Sequence, residues 1–372
     1  MRFETRAIHA GFDIENHSRS IIPPLEPATN FEHAKGGSKE GDFKYTRHAN
    51  PNRLQWENVL AELEEGQAAA AFSSGMAAAT AVFQSLQPGD HIIVPYDMYT
   101  GNRQLIKRLM QPWALEADFV DMSEPQNVAD AIRESTRLIW VETPSNPLLN
   151  ITDISAVRDI ADKHNILICV DNTWATPVNQ LPLKLGVDLV LHSTSKYFGG
   201  HSDILGGAII ARDEDGIFKR IREIQKMAGA VPSPRDCWLL ARSARTLSYR
   251  MKGHNKHAAI LADFLNQHPA VEQVFYPGLQ SHSGHEIVQK QMRGFGGMIS
   301  FLIKGHADDA LKMVAGSRLI KRATSLGGVE STWEHRQSSE GEGSKAPENL
   351  IRISVGLEHP DDLTEDLEQA LK

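Results

Sequence analysis

The stretch His192-Ser-Thr-Ser-Lys196-Tyr-Phe-Gly-Gly-His-Ser-Asp-Ile-Leu-Gly-Gly207 holds one lysine among small hydroxyl and glycine residues. It follows the apolar run Val187-Asp-Leu-Val-Leu191, a pattern typical of a buried strand. A lysine that attacks a carbonyl needs a neutral amine, and burial lowers its pKa because the charged form is disfavoured away from water. The glycines allow a flat ligand to approach the backbone closely. Lys196 is therefore a candidate for Schiff-base chemistry, and a solvated loop lysine is the alternative.

A second apolar run, Asn165-Ile-Leu-Ile-Cys-Val-Asp171, ends in a carboxylate. Open α/β sheets bind ligands beyond the carboxyl ends of their strands. In pyridoxal phosphate chemistry, an Asp beside the pyridine nitrogen keeps that nitrogen protonated, so that the ring can accept electrons. Asp171 is a candidate for this partner, and a capped turn before Asn172 and Thr173 is an equal alternative.

The third informative segment is Ala71-Phe-Ser-Ser74-Gly75-Met76-Ala-Ala-Ala-Thr-Ala, where hydroxyls and a glycine precede an alanine-rich run with high helix propensity. The free amides and positive dipole end of such a helix attract anions and would suit a phosphate. An ordinary helix cap has the same pattern, so the weight of this segment comes from its occurrence with Lys196 and Asp171.

The chain resembles the pyridoxal-phosphate-dependent Cys/Met metabolism (trans-sulfuration) family nearly from end to end. This resemblance implies an α/β chain of aspartate-aminotransferase-like fold type I, with a mostly parallel sheet and a smaller C-terminal α+β domain. The motifs that carry it are Thr5–Gly11, Tyr45–Pro51, Phe72–Met76, Glu142–Pro147, Val170–Asn172, the lysine segment, Ser325–Ser331 and Arg352–Glu358.

The resemblance also implies a pyridoxal 5'-phosphate site. Lys196 would hold the cofactor covalently and move protons, Asp171 would pair with the pyridine nitrogen, and Tyr99 would stack on the ring. The residues implied to hold the phosphate are Ser74, Gly75, Met76, Ser193 and Ser195, joined by Tyr45 and Arg47 from a neighbouring subunit.

The substrate carboxylate would be received by Asn146, Ser325 and Arg352, because the planar fork of arginine matches a carboxylate. A surface or structural ion pair is the alternative for Arg352 and for Arg47. Because residues supplied by a neighbour require an assembly, the resemblance implies a homotetramer built as a dimer of catalytic dimers.

The activity implied is γ-elimination or γ-replacement on a sulfur-containing or O-activated homoserine-type amino acid, as in cystathionine γ-synthase-like or γ-lyase-like enzymes. Cystathionine β-lyase activity, a lyase for a non-sulfur γ-substituted amino acid, and a non-catalytic pyridoxal-phosphate-binding regulatory protein are alternatives. Three features depart from the family pattern: Gly101 replaces the Cys usual in methionine γ-lyases, Thr324 replaces a Glu common in members that act on cystathionine, and the segment 332–341 differs. That segment either brings Trp333, Glu334, His335 or Arg336 towards the substrate or is only an interdomain loop.

The composition of the chain argues against several kinds of partner and site. The chain has 372 residues, of which 41% are hydrophobic and 23% charged, as expected for a large α/β domain with a smaller one. The net charge of −8 argues against nucleic-acid or acidic-lipid partners, and the acidic N-terminus, with Asp13 and Glu15, argues against a signal peptide. We expect a cytoplasmic protein without a membrane span. Cys169 and Cys237 are not expected to pair, and His282 and His285 lack the further ligands that a metal site needs.

The chain is expected to divide into an extended N-terminal arm (1–43), which includes the polar stretch Gly36–Gly41, a pyridoxal-phosphate-binding domain (44–240) and a C-terminal domain (241–372). Alternating helix and strand patterns predict a mostly parallel sheet in the middle segment. We predict that a long helical stretch, Cys237–Gln267, bridges into the C-terminal part. Further predicted elements are helices at Asn52–Glu65, Asn127–Glu134 and Pro360–Leu371 and strands at His91–Pro95, Leu138–Glu142, Gly297–Ile303 and Leu350–Val355.

Overall fold

The computed structural model describes residues 1–12, 20–33, 35–37, 43–341, 344 and 346–372. Asp13 and Glu15, and residues 38–41 of the predicted polar stretch, lie outside the described residues. The first described helix, α1 (Phe3–His9), is fixed by Arg6, which donates to the Glu62 carbonyl and to the Glu65 carboxylate. This part of the predicted arm therefore packs on its own chain.

The larger sheet has seven strands in the order β1-β7-β6-β5-β4-β2-β3. Strand β7 is antiparallel to both of its neighbours, and the remaining pairs are parallel, so the predicted mostly parallel sheet is confirmed. The strands are β1 (Ala68–Phe72), β2 (His91–Pro95), β3 (Glu116–Val120), β4 (Thr136–Glu142), β5 (Leu167–Asp171), β6 (Leu189–His192) and β7 (Gly207–Ala211).

Helices cover both faces of this sheet. In β4, Ile139 and Val141 pack on one face with Trp56 of α2, while Leu138 and Trp140 pack on the other face with Phe83 of α3. Both faces of the strands are therefore apolar, as parallel sheets between helical layers require. The helices of this part are α2 (Pro51–Glu64), α3 (Gly75–Gln84), α4 (Thr100–Leu105), α5 (Pro125–Asp130), α6 (Ile154–Asp162), α7 (Thr176–Asn179), α8 (Ile217–Ala228) and α9 (Pro234–Ala244). A π-helical turn, Ile106–Met110, extends α4, and a 3₁₀ turn spans Pro182–Leu185.

The second sheet has five strands in the order β10-β11-β12-β9-β8, with only β10 and β11 parallel. Its core includes Leu261 and Leu265 of α10, whereas Leu247 and Met251 of the same helix pack in the larger core. Helix α10 therefore joins the two cores, although the domain limits at residues 43 and 240 stay predictions. The elements are α10 (Leu247–Gln267), β8 (Val271–Phe275), α11 (His285–Gln291), β9 (Met298–Ile303), α12 (Ala307–Gly316), β10 (Lys321–Arg322), β11 (Thr332–His335), α13 (Arg336–Glu340), β12 (Leu350–Ser354) and α14 (Pro360–Ala370).

The predicted helical stretch Cys237–Gln267 consists of two helices, which are separated by Arg245 and Thr246. Arg250, four residues beyond the break, donates to the Ser243 carbonyl and to the Thr246 hydroxyl. A side chain from α10 thus donates to a carbonyl at the end of α9, which also accepts from the Thr246 amide at 3.2 Å. The predicted helix Asn127–Glu134 is also shorter than expected and ends at Asp130.

Every helix in the described part of the chain is too short or too polar to cross a membrane. The other predicted elements agree with the observed ones within a few residues at their ends.

A glycine at the start of β7 allows the β1–α3 turn to lie against the sheet. A Cβ atom built on Gly207 would lie 2.2 Å from the Ser74 carbonyl oxygen, which is backbone and cannot turn away. We expect Gly207→Ala to destabilise the protein by roughly 1–3 kcal/mol, as overpacking of a dense interior does. Denaturant unfolding measures this loss. Gly36→Ala, at a position where an added Cβ meets nothing within 4 Å, serves as the control. Equal stability of the two variants would contradict the close approach.

Candidate active site

Lys196 lies in the turn that follows β6, and its Nζ donates to the Ser325 hydroxyl at 2.6 Å. The turn is closed by the Gly200 amide, which donates to the Lys196 carbonyl at 2.8 Å. The buried Arg250 guanidinium donates to the carbonyls of Tyr197 and Phe198. Ser325 therefore holds the Lys196 amine, and Arg250 holds the backbone that follows the lysine. The alternative of a solvated loop lysine is not supported.

The pKa of Lys196 is lowered from its ordinary 10.5 to about 8. Burial is the main cause, and the Arg352 guanidinium adds to it by repulsion, while Glu334 and Asp171 act in the opposite direction. A neutral amine is therefore accessible close to physiological pH.

Ser325 reaches Lys196 from a strained backbone position, since its φ angle is 84°. This left-handed region is unfavourable for residues other than glycine, and such residues cluster at functional sites. The neighbouring turn requires Gly327, with a φ of 79°, because a Cβ there would lie 2.7 Å from the Tyr197 amide nitrogen. The backbone of the 325–327 segment thus lies directly against the lysine turn.

Asp171 ends β5 and accepts hydrogen bonds from the Thr173 amide (3.1 Å) and the Thr173 hydroxyl (2.6 Å). The same hydroxyl accepts from the Ser193 amide at 2.9 Å, so Asp171 is tied to the turn that carries Lys196. Burial raises the pKa of Asp171, and the nearby His192 and Lys196 lower it. The short-range bonds to Thr173 match the turn-cap alternative, but the carboxylate also lies within electrostatic reach of Lys196.

A second carboxylate, Glu142, ends the adjacent strand β4 directly opposite Asp171. It is buried, and its Oε2 accepts from the Tyr99 amide at 2.9 Å. Burial and the neighbouring Asp171 raise the pKa of Glu142 well above its usual range. Glu142 was not among the predicted site residues, although a Glu that ends a buried strand is a usable signal in the sequence.

The β1–α3 turn forms the cradle expected for an anion. The Ser74 side chain caps α3 by accepting from the Ala77 amide at 3.0 Å. A Cβ on Gly75 would lie 2.9 Å from the Ser193 Cβ, so the turn and the lysine segment are in contact only because residue 75 is glycine. Ser195 bridges the Gly206 backbone, donating to its carbonyl at 3.2 Å and accepting from its amide at 2.9 Å. A helix N-terminus, hydroxyls and small residues thus converge beside Lys196, which fits the phosphate and aldehyde ends of pyridoxal phosphate.

Tyr99 lies at the start of α4 with 47% of its surface exposed. Its ring lies close above Gly101, where an added Cβ would come within 2.4 Å of the ring and 3.1 Å of the Met76 sulfur. The aromatic face that the resemblance implies is therefore available at the edge of the phosphate cradle.

Arg352 of β12 faces the same space from the smaller sheet. One guanidinium nitrogen donates to the Asn146 side-chain oxygen at 2.8 Å, and the other donates to the Ser325 carbonyl at 3.4 Å. The guanidinium lies 5.7 Å from the centre of the Trp174 ring, within cation–π range. The three residues predicted to receive a carboxylate are thus brought together.

Glu334 also contacts Arg352, because the two residues stand opposite each other on β11 and β12. The segment 332–341 is not an interdomain loop but the strand β11 followed by helix α13. Of the four residues named for it, Glu334 and Arg336 join the Arg352 cluster, whereas Trp333 is buried in the smaller core and donates to the Val314 carbonyl. The ion-pair alternative for Arg352 is therefore correct in part. Burial, followed by the neighbouring Arg336, lowers the pKa of Arg352 to about 10.

Tyr45 and Arg47 do not join the hydrogen-bonded groups around Lys196 in the same chain. Arg47 donates to the Lys226 carbonyl at 2.7 Å and lies 5.6 Å from the centre of the Tyr45 ring. Among the described residues, neither side chain makes a hydrogen bond to the groups around Lys196. Their predicted role therefore depends on a neighbouring subunit. The described residues also contain no cluster of three His, Cys, Asp or Glu side chains suited to a metal ion.

Several known proteins are similar to this chain over nearly its whole length. The chain is 44% identical over 373 residues to the cystathionine gamma-synthase of Mycobacterium tuberculosis (strain ATCC 25618 / H37Rv), covering 99% of this chain and 96% of that protein. It is 40% identical over 380 residues to the cystathionine gamma-lyase of Bacillus subtilis (strain 168), covering all of both. The crystal structure of metB from Corynebacterium glutamicum superposes with a TM-score of 0.97 at 43% identity, covering 100% of this chain and 98% of that one.

The fold is therefore the expected type I fold of pyridoxal phosphate enzymes. The family model described as Cys/Met metabolism PLP-dependent enzyme matches residues 4–372, and the chain belongs to that family.

Proposed function

We propose that the chain is a pyridoxal-phosphate-dependent enzyme that performs γ-replacement or γ-elimination on a sulfur-containing or O-activated homoserine-type amino acid. One observation carries this proposal: the Lys196 amine, whose pKa is lowered to about 8, donates a hydrogen bond to Ser325 beside the buried Arg352. A nucleophilic amine and a guanidinium that could bind a carboxylate thus lie next to each other. An enzyme that acts on amino acids needs both groups.

When bound, pyridoxal phosphate supplies an electron sink for the carbanion formed at the substrate α carbon. Lys196 is the residue that would hold the cofactor and then move protons, because its amine is neutral over part of the physiological range. Asp171 would keep the pyridine nitrogen protonated, and the exposed Tyr99 face would support the ring. The phosphate would be held by Ser74, Gly75, Met76, Ser193 and Ser195, with Tyr45 and Arg47 contributed by a neighbouring subunit.

The substrate carboxylate would be held by Arg352, with Asn146 and Ser325 beside it. Arg352 donates to both partners in the structure, so its guanidinium is oriented before any substrate arrives. Such preorganisation lowers the cost of ordering the side chain on binding.

γ-Replacement of the cystathionine γ-synthase type is the first candidate, and a relative with that name is 44% identical to this chain. γ-Elimination is the second, because a relative named cystathionine gamma-lyase is 40% identical. Thr324 brings no carboxylate for a distal ammonium, which keeps a lyase for a non-sulfur γ-substituted amino acid as an alternative. A β-lyase and a non-catalytic regulatory protein are further alternatives that product analysis distinguishes.

We also propose that the protein is cytoplasmic and works as a homotetramer built from two catalytic dimers. The support for the assembly comes from Tyr45 and Arg47, whose described side-chain contacts do not include the groups hydrogen-bonded to Lys196 in the same chain. Light scattering at several protein concentrations, together with activity on dilution, measures this state.

The first functional prediction concerns the products. The cofactor-loaded protein, supplied with an O-acylated homoserine and cysteine, is expected to form cystathionine, and without cysteine it is expected to release a 2-oxo acid and ammonia. Lys196→Ala should abolish both products and the yellow absorbance, because Lys196 is the amine that lies beside Ser325 and the Ser74–Gly75 turn. Mass spectrometry and an ammonia assay measure the outcome.

Lys184→Ala is the control for this lysine, since Lys184 is 54% exposed and pairs only with Glu65 among the described residues. It should retain wild-type turnover. A Lys196→Ala protein with wild-type turnover would remove Lys196 from the mechanism, and a wild-type protein that forms neither product from any homoserine-type or cystathionine substrate would refute the enzyme proposal.

The second prediction concerns the carboxylate. Arg352→Ala removes the buried charge that faces the substrate, so we expect binding to weaken by roughly 2–5 kcal/mol, as loss of one partner of a desolvated charge pair does. Saturation kinetics measure this as a raised KM, and a melting curve shows whether the variant is folded. Unchanged KM in a folded Arg352→Ala protein would contradict the assignment.

The third prediction concerns pH. Because the folded pKa of Lys196 is about 8, below its ordinary 10.5, the reactive neutral amine is half populated near pH 8. The rate at which cofactor-free protein becomes yellow with pyridoxal phosphate should therefore rise up to about this pH and then level off. In Arg352→Ala the midpoint should move to higher pH, because a repelling charge is gone while Glu334 and Asp171 remain. A midpoint near 10.5 in the wild type would show that the amine is not perturbed.

A further inference from the structure

The smaller sheet contains a buried charge cluster that the proposed chemistry leaves unexplained. Glu334 uses a single oxygen, Oε1, to accept from both Arg352 and Arg336. All three residues are at most 6% exposed. The second oxygen of Glu334 is buried without a hydrogen-bond partner among the described groups. A carboxylate in a low-dielectric interior normally uses both oxygens, so this one-sided arrangement needs a cause.

We attribute this arrangement to helix α13, which begins at Arg336 and contains Glu340, a second partner of the Arg336 guanidinium. The cap residue His335 is held at both ring nitrogens, by the Ser338 hydroxyl and by the Glu348 carbonyl, each at 2.6 Å. One turn further on, Glu340 accepts from the other end of the Arg336 guanidinium at 2.7 Å. Arg336 is therefore held at both ends of its guanidinium, and it holds the same Glu334 oxygen that pairs with Arg352.

This arrangement affects how Arg352 can bind a ligand. A bidentate pair with Glu334 would occupy the two-pronged face of the guanidinium that a substrate carboxylate needs. With one Glu334 oxygen shared, Arg352 keeps donors for Asn146 and Ser325, in the direction of Lys196.

We propose that Arg336 is a positioning residue that restrains Glu334 and thereby keeps the Arg352 guanidinium available for the substrate carboxylate. The inference rests on the proposed function in one respect, namely that Arg352 receives the carboxylate. Arg336 itself touches neither the substrate nor the cofactor. It belongs to the segment 332–341, in which this chain departs from the family pattern.

The test uses two ligands that differ only in the carboxylate. Alanine and ethylamine both react with cofactor-loaded protein through their amine, and the absorbance change gives an apparent dissociation constant for each. In Arg336→Met, Glu334 is free to turn and pair with Arg352 through both oxygens. We expect the constant for alanine to rise about tenfold, equivalent to about 1.4 kcal/mol, and that for ethylamine to stay within about twofold.

Arg336→Lys keeps the positive charge and one hydrogen bond, but it lacks the two guanidinium nitrogens that donate to Glu334 and Glu340. It should therefore raise the apparent dissociation constant for alanine by only about threefold. This variant also covers the case in which Arg336→Met does not fold. Arg318→Met, a change at an exposed arginine in the same part of the chain, is the matched control and should bind both ligands as the wild type does.

Equal weakening of alanine and ethylamine would assign Arg336 a purely structural role and overturn the inference. Unchanged alanine binding in the folded Arg336 variants would overturn it too. The comparison does not require turnover, so a wild-type protein that binds alanine but forms no elimination or replacement product would refute the proposed function and still decide the role of Arg336.

Discussion

Two positive charges, the Lys196 ammonium and the Arg352 guanidinium, are placed close together in a poorly solvated space, and much of the site can be understood from this constraint. Burial and mutual repulsion both disfavour charge on the lysine, whose pKa falls to about 8. Arg352 keeps its charge, because its pKa, although lowered, stays at about 10. Burial, to which the repulsion by Arg352 adds on the lysine, thus produces two chemically different groups: a neutral nucleophile and a fixed cation for an anionic ligand.

The fold creates this constraint by combining two sheets. Lys196 follows β6 at the carboxyl edge of the larger sheet, whereas Arg352 lies within β12 of the smaller one. Ser325 contacts both, through its hydroxyl to Lys196 and its carbonyl to Arg352. Its unfavourable φ of 84° is held by the adjacent turn at Gly327, whose amide donates to the Ser354 hydroxyl at 2.9 Å. The local strain is therefore stabilised by β12 itself, the strand that carries Arg352.

Sequence patterns predicted the part of this arrangement that follows from the order of elements. Lys196, Asp171 and the Ser74–Gly75 turn all come directly after apolar strands, and parallel strands bring such ends to one edge. The pairing of Glu334 with Arg352 depends on the register of β11 against β12, which is set by packing in the smaller core and not by local spacing. The break between α9 and α10 was missed for a related reason, because Arg250 satisfies the Ser243 carbonyl through a tertiary hydrogen bond. Roles that rest on resemblance alone, such as those of Tyr45 and Arg47, stay predictions.

The carboxylates around the two cations differ in what each does. Asp171 and Glu142 end neighbouring strands opposite each other, so their mutual repulsion adds to burial in raising the pKa of Glu142. A protonated Glu142 would keep only one negative charge at the position implied for the pyridine nitrogen, while its Oε2 still anchors the Tyr99 amide. Glu334, by contrast, lies between the guanidinium groups of Arg336 and Arg352. Asp171 is thus suited to balance a protonated ring, whereas Glu334 pairs with Arg352 through an oxygen that it shares with Arg336.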